Sequence, residues 1–308
     1  MAPEAFFLPV ANGQRFCLYH APSVPGRGAL LYLHPFAEEM NKSRRMAALQ
    51  ARQLAANGYG VLQIDLHGCG DSSGDFGDAT WQSWLQDVHD ACHWLRGRCN
   101  HPLWLWGLRA GCLLATAAAD SLAERSNFLF WHPVSSGKQF FHQFLRLKVA
   151  GEMLGGDAKG VMTAIRRQLD ESQSPEIAGY TLNTELARGL EAAELRPPAP
   201  PGQVIWLELA AHEAGSLSPA SMRRIEQWQT IGHEVAASIV MGPAFWQTAE
   251  IEEAPALLSA TLAALNAMSR RLQPKKPWSL HAPANACSVF WRGQPRRKTS
   301  ASSSSSAD

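Results

Sequence analysis

Short apolar runs alternate along this chain with longer segments in which apolar residues recur at helical spacing. The runs predict strands over residues 29–33, 60–65, 103–106, 127–131, 204–209 and 235–240. Helices are predicted between them, over residues 43–57, 80–96, from 111 onwards, 219–231 and 252–271. Strands and helices that take turns with short links predict a mainly parallel, doubly wound sheet with helices on both faces.

Two segments depart from this alternation. Residues 6–10 and 16–20 flank Asn12-Gly13, which predicts a hairpin and therefore an antiparallel sheet edge. From residue 138 to about residue 198 the strands stop, and a mostly helical segment is predicted before the proline-rich residues 197–201. We therefore expect a core of residues 1–137 and 201–290, a helical cap insertion over 138–200, and a disordered serine-rich tail over 291–308.

Composition limits the classes of protein that fit. The 308 residues are 46% hydrophobic, which can fill one large core. The formal net charge is +1, with 28 basic and 27 acidic residues, so no overall field attracts nucleic acid or an anionic membrane. The longest apolar run, residues 103–119, contains Arg109 and two glycines and is interpreted as a strand and a helix rather than a membrane span.

Cysteine usage and the start of the chain indicate the compartment. The six cysteines form no Cys-x-x-Cys pair, so neither a zinc site nor a compact disulfide framework is predicted; they are Cys17, Cys69, Cys92, Cys99, Cys112 and Cys287. The first residues lack the basic start and long apolar core of a signal peptide. We expect a cytoplasmic protein with no metal and no cofactor.

The segment that carries the chemistry is Gly107-Leu-Arg109-Ala-Gly111, between a predicted strand and a predicted helix. Its spacing resembles the Gly-x-Ser-x-Gly nucleophile elbow of α/β-hydrolases, in which the glycines allow a sharp turn that exposes the nucleophile. Arg109 stands at the nucleophile position. A guanidinium stays protonated and has no lone pair free to attack, so Arg109 cannot be the nucleophile.

Further motifs extend this resemblance over most of the chain. A strand ends at His34-Pro35, and Asp-x-x-Gly-x-Gly-Asp-Ser runs from Asp65 to Ser72, as in α/β-hydrolases. More specifically, four segments resemble the family called exosortase A system-associated hydrolase 2: residues 34–45, 107–111, 143–147 and 242–251. That resemblance implies an acyl ester or thioester hydrolase in a bacterial cytoplasm, linked to exopolysaccharide and protein-sorting systems and to acyl-carrier functions. It implies no particular substrate.

The remaining members of a catalytic triad are not all present at their expected places. In hydrolase chain order the acid follows a late strand, where Glu213 is the first candidate and Glu208 the second. The histidine follows the last strand, where the chain has Phe245 and Trp246. Loss of the serine alone lowers turnover roughly a millionfold in a triad protease. Ordinary serine-hydrolase chemistry is therefore not expected.

The same region could still bind a ligand. The backbone N–H groups of Phe36 and Ala110 fall where the fold places its oxyanion donors. A buried Arg109 needs a counter-charge, and Glu38 and Glu39 are the candidates. Either a carboxylate plugs the site, or Arg109 binds an anion such as a carboxylate or phosphate of an acyl chain, a coenzyme A thioester or a phosphopantetheine arm.

Two classes of function therefore stay open: an unorthodox acyl hydrolase, and a catalytically silent protein that binds an acyl or anionic ligand, an acyl-carrier protein or a pathway protein. The hydrolase needs a replacement nucleophile, for which Cys112, Cys69 and Ser72 are candidates. A water activated by His132, His212 or a carboxylate is another route. Asp65 and Asp71 are interpreted as turn residues at the end of a strand.

Overall fold

A computed structural model describes residues 2–122, 124–152, 158–212 and 215–271. Its strands are β1 (Glu4–Val10), β2 (Gly13–His20), β3 (Gly28–Leu33), β4 (Tyr59–Ile64), β5 (Leu103–Leu108), β6 (Asn127–Trp131), β7 (Glu176–Ile177), β8 (Tyr180–Thr181), β9 (Gln203–Ala210) and β10 (Glu234–Met241). Eight of them form one sheet in the order β1-β2-β4-β3-β5-β6-β9-β10. All the predicted strands are present.

The sheet is antiparallel at one edge and parallel elsewhere. β1 pairs with β2 through the turn at Gly13, where φ is +108°, and β2 pairs antiparallel with β4. The remaining neighbours, from β4 to β10, run parallel. The predicted hairpin and antiparallel edge are confirmed. Because parallel strands end at the same edge of a sheet, the loops after β3, β5 and β6 meet there.

The helices are α1 (Glu38–Ala56), α2 (Trp81–Arg98), α3 (Gly111–Ala119), α4 (Gly137–Glu152), α5 (Ala158–Asp170), α6 (Thr184–Ala192), α7 (Pro219–Thr230) and α8 (Pro255–Arg271). The prediction that the first helix begins at residue 43 is wrong. Ala37 turns the chain with φ +50°, and the helix follows at once with Glu38 and Glu39 in its first turn. Carboxylates are favourable at the positive end of a helix, a signal that apolar periodicity does not carry.

The sheet is buried on both faces. One face, with Leu31, Leu105 and Phe128, packs on residues of α2, α3, α4 and α7. The other, with Trp106 and Trp131, packs on residues of α1 and α8. β3, β5 and β6 contain only buried residues, so their sequences show continuous apolar runs rather than alternation.

The segment between β6 and β9 holds the helices α4, α5 and α6. It also contains the two-residue strands β7 and β8, which were not predicted. Ala178 and Gly179 connect them with φ values of +51° and +84°, the conformation of a tight hairpin turn. Such short strands show no periodicity. The predicted boundaries of the core and the insertion stay predictions, and the tail at 291–308, like Cys287, lies outside the described residues.

Within the part of the chain that is described, no helix has both the length and the apolar character needed to cross a bilayer.

Candidate active site

The turn between β5 and α3 is tight, as the glycine spacing predicts. Arg109 has φ +54°, and its N–H donates to the carbonyl of Trp131 at 3.0 Å. A Cβ on Gly107 would lie 2.6 Å from the backbone nitrogen of Cys112, and one on Gly111 would lie 2.3 Å from the carbonyl oxygen of Leu33. Neither position can hold a side chain without a shift of the backbone. The turn therefore brings Arg109 to the edge where the parallel strands end.

Arg109 is paired with Glu39 in the first turn of α1. Its Nε and Nη2 both lie 3.4 Å from the same oxygen, Oε1 of Glu39. The side chains are 12% and 8% exposed. Charge-assisted N–H···O bonds are normally about 2.7–2.9 Å long, so this pair is loose. The other oxygen, Oε2 of Glu39, is buried and has no hydrogen-bond partner among the described residues. Of the two predicted counter-charges, the structure pairs Arg109 with Glu39.

The electrostatics of Glu39 are set mainly by burial. Loss of solvent raises its pKa to about 7, the Arg109 guanidinium opposes that rise, and the neighbouring Glu38 carboxylate adds to it. Oε2 of Glu38 is also buried without a partner in the described region. Two carboxylates thus lie at this site, of which only Glu39 is paired with the guanidinium.

Aromatic rings enclose the pair. The Arg109 Cζ atom lies 5.4 Å from the centre of the Trp246 ring and 5.7 Å from that of Phe140, within cation–π range. They border a cavity of about 270 Å³ that is lined by Phe36, Glu38, Glu39, Lys42, Arg109, Phe140, Gln143, Phe144, Trp246 and Gln247. Of the predicted ligand-binding residues, Phe36, Glu38, Glu39 and Arg109 meet at this cavity.

The two predicted oxyanion donors have free backbone groups. Phe36 follows the His34-Pro35 turn, and Ala110 precedes α3. Neither N–H donates to an acceptor among the residues that the structure describes. His34, by contrast, is occupied, since its Nδ1–H donates to the Pro35 carbonyl at 2.8 Å and its Nε2 accepts from the N–H of Leu66 at 3.4 Å. Both amides are therefore unpaired in the described part of the chain, and of the two residues Phe36 lines the cavity while Ala110 does not.

Two aromatic residues were predicted to stand in the place of a catalytic histidine. Phe245 and Trp246 are 0% and 2% exposed, and Trp246 packs on the ring of His132 with 4.7 Å between the ring centres. His132 accepts the N–H of Leu209 on Nδ1 at 3.1 Å, and burial together with the nearby Arg109 charge lowers its pKa to about 4. His132 is therefore neutral at pH 7, and its Nδ1 is already occupied.

Of the two candidates for the acid, Glu208 is described by the structure and does not line the cavity. Glu213, the first choice, lies outside the described residues. Glu208 accepts the indole N–H of Trp206 on Oε1 at 2.7 Å, a bond within strand β9. His212, proposed as an activator of water, is exposed at the end of the same strand.

The candidate replacement nucleophiles are parts of the core or of turns. Cys112 and Cys69 are buried, and burial raises the pKa of each thiol above its ordinary value, which disfavours the reactive thiolate. Ser72 Oγ donates to the Asp65 carbonyl at 2.5 Å and accepts the N–H of Phe16 at 2.9 Å. None of the three lines the cavity.

The predicted turn residues have structural partners. Arg44 donates to both carboxylate oxygens of Asp65 at 3.1 Å, and the N–H of Asp71 donates to Oδ2 of Asp65 at 3.2 Å. These bonds hold the glycine-rich turn after β4, in agreement with the interpretation from sequence.

Sequence reasoning missed several cavity residues, all of them contributed by other parts of the chain than the elbow: Lys42, Phe140, Gln143, Phe144 and Gln247. A signal existed for most of them, because the segments 34–45, 143–147 and 242–251 were singled out by the family resemblance. What could not be seen was that those segments converge.

Among the described residues, no group of three or more His, Cys, Asp and Glu side chains is arranged to hold a metal ion. His89 and His93 stand one turn apart on α2, a spacing that metal-binding helices use and that was not predicted as a metal site. Nε2 of His89 instead hydrogen-bonds to Oγ of Ser121 at 2.8 Å.

Comparison with known families agrees with this architecture over part of the chain. Residues 25–146 match the family described as serine aminopeptidase, S33. Protein ABHD12B of Homo sapiens is 33% identical over 116 residues, which span 37% of this chain and 31% of the human protein. This chain therefore matches about a third of the length of that relative.

Solved structures match nearly the whole fold at low identity. A thermostable carboxyl esterase of Bacillus coagulans is 12% identical with a TM-score of 0.59, over 88% of this chain and 99% of the esterase. A lidless α/β serine hydrolase of Xanthomonas campestris is 17% identical with a TM-score of 0.52, over 90% of this chain and 98% of the hydrolase. A monoglyceride lipase of Saccharomyces cerevisiae is 16% identical with a TM-score of 0.55, over 88% of this chain and 94% of the lipase. The chain therefore has the fold of the α/β-hydrolase superfamily, as predicted.

Proposed function

We propose that this α/β-hydrolase-fold protein binds a small ligand with a carboxyl or acyl group in the elbow cavity and does not turn it over by the serine-hydrolase mechanism. The observation that carries the proposal is the position of Arg109. Its backbone occupies the strained turn that presents the nucleophile in this fold, and its guanidinium faces the cavity in a loose pair with Glu39. A cation at this point binds oxygen anions and cannot attack a carbonyl carbon.

The groups around Arg109 favour binding over reaction. Trp246 occupies the place of the base, and His132 is neutral with its Nδ1 engaged by Leu209. The N–H groups of Phe36 and Ala110 are free to donate hydrogen bonds to a carbonyl or carboxylate oxygen. Stabilisation of an oxyanion without a nucleophile and a base leaves only a small part of the rate of a triad enzyme.

The size and walls of the cavity limit the ligand. A volume of about 270 Å³ is slightly below that of most small-molecule sites, which usually measure about 300–1,000 Å³. Rings of Phe36, Phe140 and Phe144 supply an apolar wall, and Lys42 adds a second positive charge. A short acyl chain or a small aromatic acid fits this combination better than a long lipid chain.

An acyl ester or thioester hydrolase is the second candidate. It is favoured by the two free oxyanion donors, and structures of the same fold include a carboxyl esterase. The family resemblance adds a bacterial cytoplasmic setting, a link to exopolysaccharide and protein sorting, and an acyl-carrier protein as a partner. This function needs a nucleophile at the cavity, and none of the proposed cysteine or serine nucleophiles lines it.

Binding and turnover can be measured together. Wild type, Arg109→Ala and the control Arg188→Ala are incubated with butyrate, butyryl-coenzyme A and p-nitrophenyl butyrate. Arg188 is an exposed arginine on α6, with a side chain that is 53% exposed, so it controls for the loss of a positive charge. We expect saturable butyrate binding by wild type and Arg188→Ala, weakened at least about tenfold in Arg109→Ala because a hydrogen-bonded charge is lost. No product should form above the rate in buffer.

Other results would change the assignment. Product formation that is lost in Arg109→Ala and kept in Arg188→Ala would establish the hydrolase. Equal binding by wild type and Arg109→Ala would exclude Arg109 as the anion-binding group. If the protein showed no binding and no turnover, the Arg109–Glu39 pair would be identified as an inert plug.

A further inference from the structure

The cavity holds a cation that already has a partner. A ligand carboxylate that reaches Arg109 meets Glu39 on the same guanidinium, with Glu38 beside it. Two or three carboxylates around one buried guanidinium would repel one another strongly, because the site is largely shielded from water. Binding of an anion therefore requires that Glu39 moves, loses its charge, or both. This inference rests on the proposed function, the binding of an anionic ligand at Arg109.

We propose that an anionic ligand displaces Glu39 from Arg109 and that Glu39 takes up one proton from solvent as the ligand binds. The ligand then replaces Glu39 as the counter-charge of the guanidinium. The total charge of the buried site stays the same, since one anion enters and one proton enters with it.

The geometry of the pair makes the exchange favourable. Two nitrogen atoms of Arg109 share a single oxygen of Glu39 at 3.4 Å each, so neither bond has the normal length. A carboxylate that approached the guanidinium in its plane would form two parallel bonds of about 2.8 Å. Oε2 of Glu39 has no partner among the described residues, and it becomes a donor once it is protonated. It can then donate to the ligand that displaced it.

The charges that face Glu39 are few. On its own helix these are Glu38 and Lys42, and from the elbow there is Arg109. Neutral residues face the cavity from α4, namely Phe140, Gln143 and Phe144, and from the segment after β10, namely Trp246 and Gln247. When a ligand takes the guanidinium, only Lys42 remains to balance two carboxylates.

Two more titratable groups lie close by and stay neutral near pH 7. Tyr180 has its pKa raised, by burial first and then by Glu38, and His132 has its pKa lowered to about 4 by burial and by Arg109. Neither can supply the missing positive charge. Glu39 itself already has a pKa of about 7 before a ligand enters, so it gains a proton at little cost near neutral pH.

The exchange gives a specific pH dependence. Butyrate stays ionised from pH 6 to pH 9, so any change in its affinity over this range comes from the protein. Below about pH 7 Glu39 is largely protonated already, and the affinity should be nearly constant. Above about pH 7 Glu39 is ionised before butyrate binds, so each binding event takes up one proton. The dissociation constant should therefore rise by up to about tenfold per pH unit.

Titration calorimetry with butyrate, in two buffers of different ionisation enthalpy at each pH, measures affinity and proton uptake separately. Wild type should take up about one proton per butyrate at pH 8. Glu39→Gln has the shape of protonated Glu39 and should take up none, with an affinity that does not change from pH 6 to pH 9. Glu38→Gln is the matched control and should keep the proton uptake. Uncharged butyramide should bind without uptake in every variant.

The outcomes separate this inference from the proposed function. Butyrate binding without proton uptake by wild type, or with equal uptake by Glu39→Gln, overturns the exchange and leaves the proposed function standing. Binding of butyramide alone leaves an acyl-binding cavity and overturns the exchange. Failure of wild type and Glu39→Gln to bind either compound at any pH overturns both.

Discussion

At the scale of single residues, the conformation of the elbow does not depend on the side chain at its tip. Arg109 has φ +54°, a left-handed conformation that costs a non-glycine residue roughly 1–2 kcal/mol. The flanking glycines make it possible, because the backbone of Cys112 approaches Gly107 and the carbonyl of Leu33 approaches Gly111. The turn was therefore predictable from two glycines, although the arginine at its tip cannot act as a nucleophile.

Substitution of Gly111 tests how closely the backbone packs at the elbow. A Cβ there would meet the carbonyl oxygen of Leu33 at 2.3 Å, so Gly111→Ala should lower the free energy of unfolding by about 1–3 kcal/mol or more. Gly97, on an exposed part of α2, has no atom within 4 Å of an added Cβ, and Gly97→Ala should be neutral or stabilise by up to about 1 kcal/mol. Urea denaturation of both variants measures the difference. Equal effects would show that Gly111 is not closely packed.

At the scale of elements, a buried ion pair joins β2 to α2. Arg15 Nε donates to Oδ1 of Asp87 at 2.6 Å, and the side chains are 0% and 2% exposed. Oδ2 of Asp87 accepts the N–H of His67 at 2.7 Å, which connects the loop after β4 to the same helix. Three elements thus depend on one carboxylate.

Removal of that carboxylate should be costly. Asp87→Ala leaves the guanidinium of Arg15 buried without its counter-charge and should lower the free energy of unfolding by about 3–5 kcal/mol. Arg188→Ala breaks an exposed pair with Glu185, whose side chains are 53% and 65% exposed, and should cost less than about 1 kcal/mol. Chemical denaturation at pH 7 compares the two. A loss below 1 kcal/mol in Asp87→Ala would mean that water or another acceptor replaces Asp87.

At the scale of the whole molecule, the cavity is assembled from four distant segments. The start of α1, the elbow, α4 of the insertion and the residues after β10 each contribute to its lining. No two of these segments are neighbours in sequence, and the parallel sheet brings them together because β3 and β5 are adjacent and end at the same edge.

Stability of the whole molecule should depend on the charge of Glu39. Its pKa is raised from 4.5 to about 7 on folding, so between these values the folded chain holds a proton that the unfolded chain has lost. This contribution to stability is complete below about pH 4.5 and declines as the pH rises to 7. It is largest when Glu39 is neutral.

Glu39→Gln isolates that contribution. The free energy of unfolding of wild type minus that of Glu39→Gln should fall by up to about 3 kcal/mol from pH 4.5 to pH 7 and stay constant above. Thermal or urea unfolding at several pH values measures it. The subtraction removes groups with other trends, such as His132, whose lowered pKa makes stability rise with pH between about 4 and 6.5. A difference that does not change with pH would contradict the raised pKa.

Much of the fold could be predicted because its signals are local. Continuous apolar runs identified the buried parallel strands, and Asn12-Gly13 identified the hairpin. The start of α1 was missed because its first turn is Glu38-Glu39, which has no apolar periodicity. The hairpin β7–β8 was missed because each strand has two residues.

The site was predictable only in part. The sequence placed Arg109 at the elbow and named Glu38 and Glu39 as its candidate partners. It could not decide between them, since both follow Ala37 on the first turn of one helix and their side chains point in different directions. Phe140 and Phe144 could not be assigned to the cavity from the sequence. No local signal relates the helix that holds them to a turn that precedes it in the chain.

The sequence by itself determined the order of strands and helices, the sharp turn at residues 107–111 and the arginine at its tip, because these depend on local periodicity, backbone sterics and residue identity. The tertiary structure alone decided that Arg109 pairs with Glu39, that Trp246 and Phe140 cover it, and that the pair is loose and largely buried. Distances, shielding from water and raised pKa values arise only when distant segments pack together.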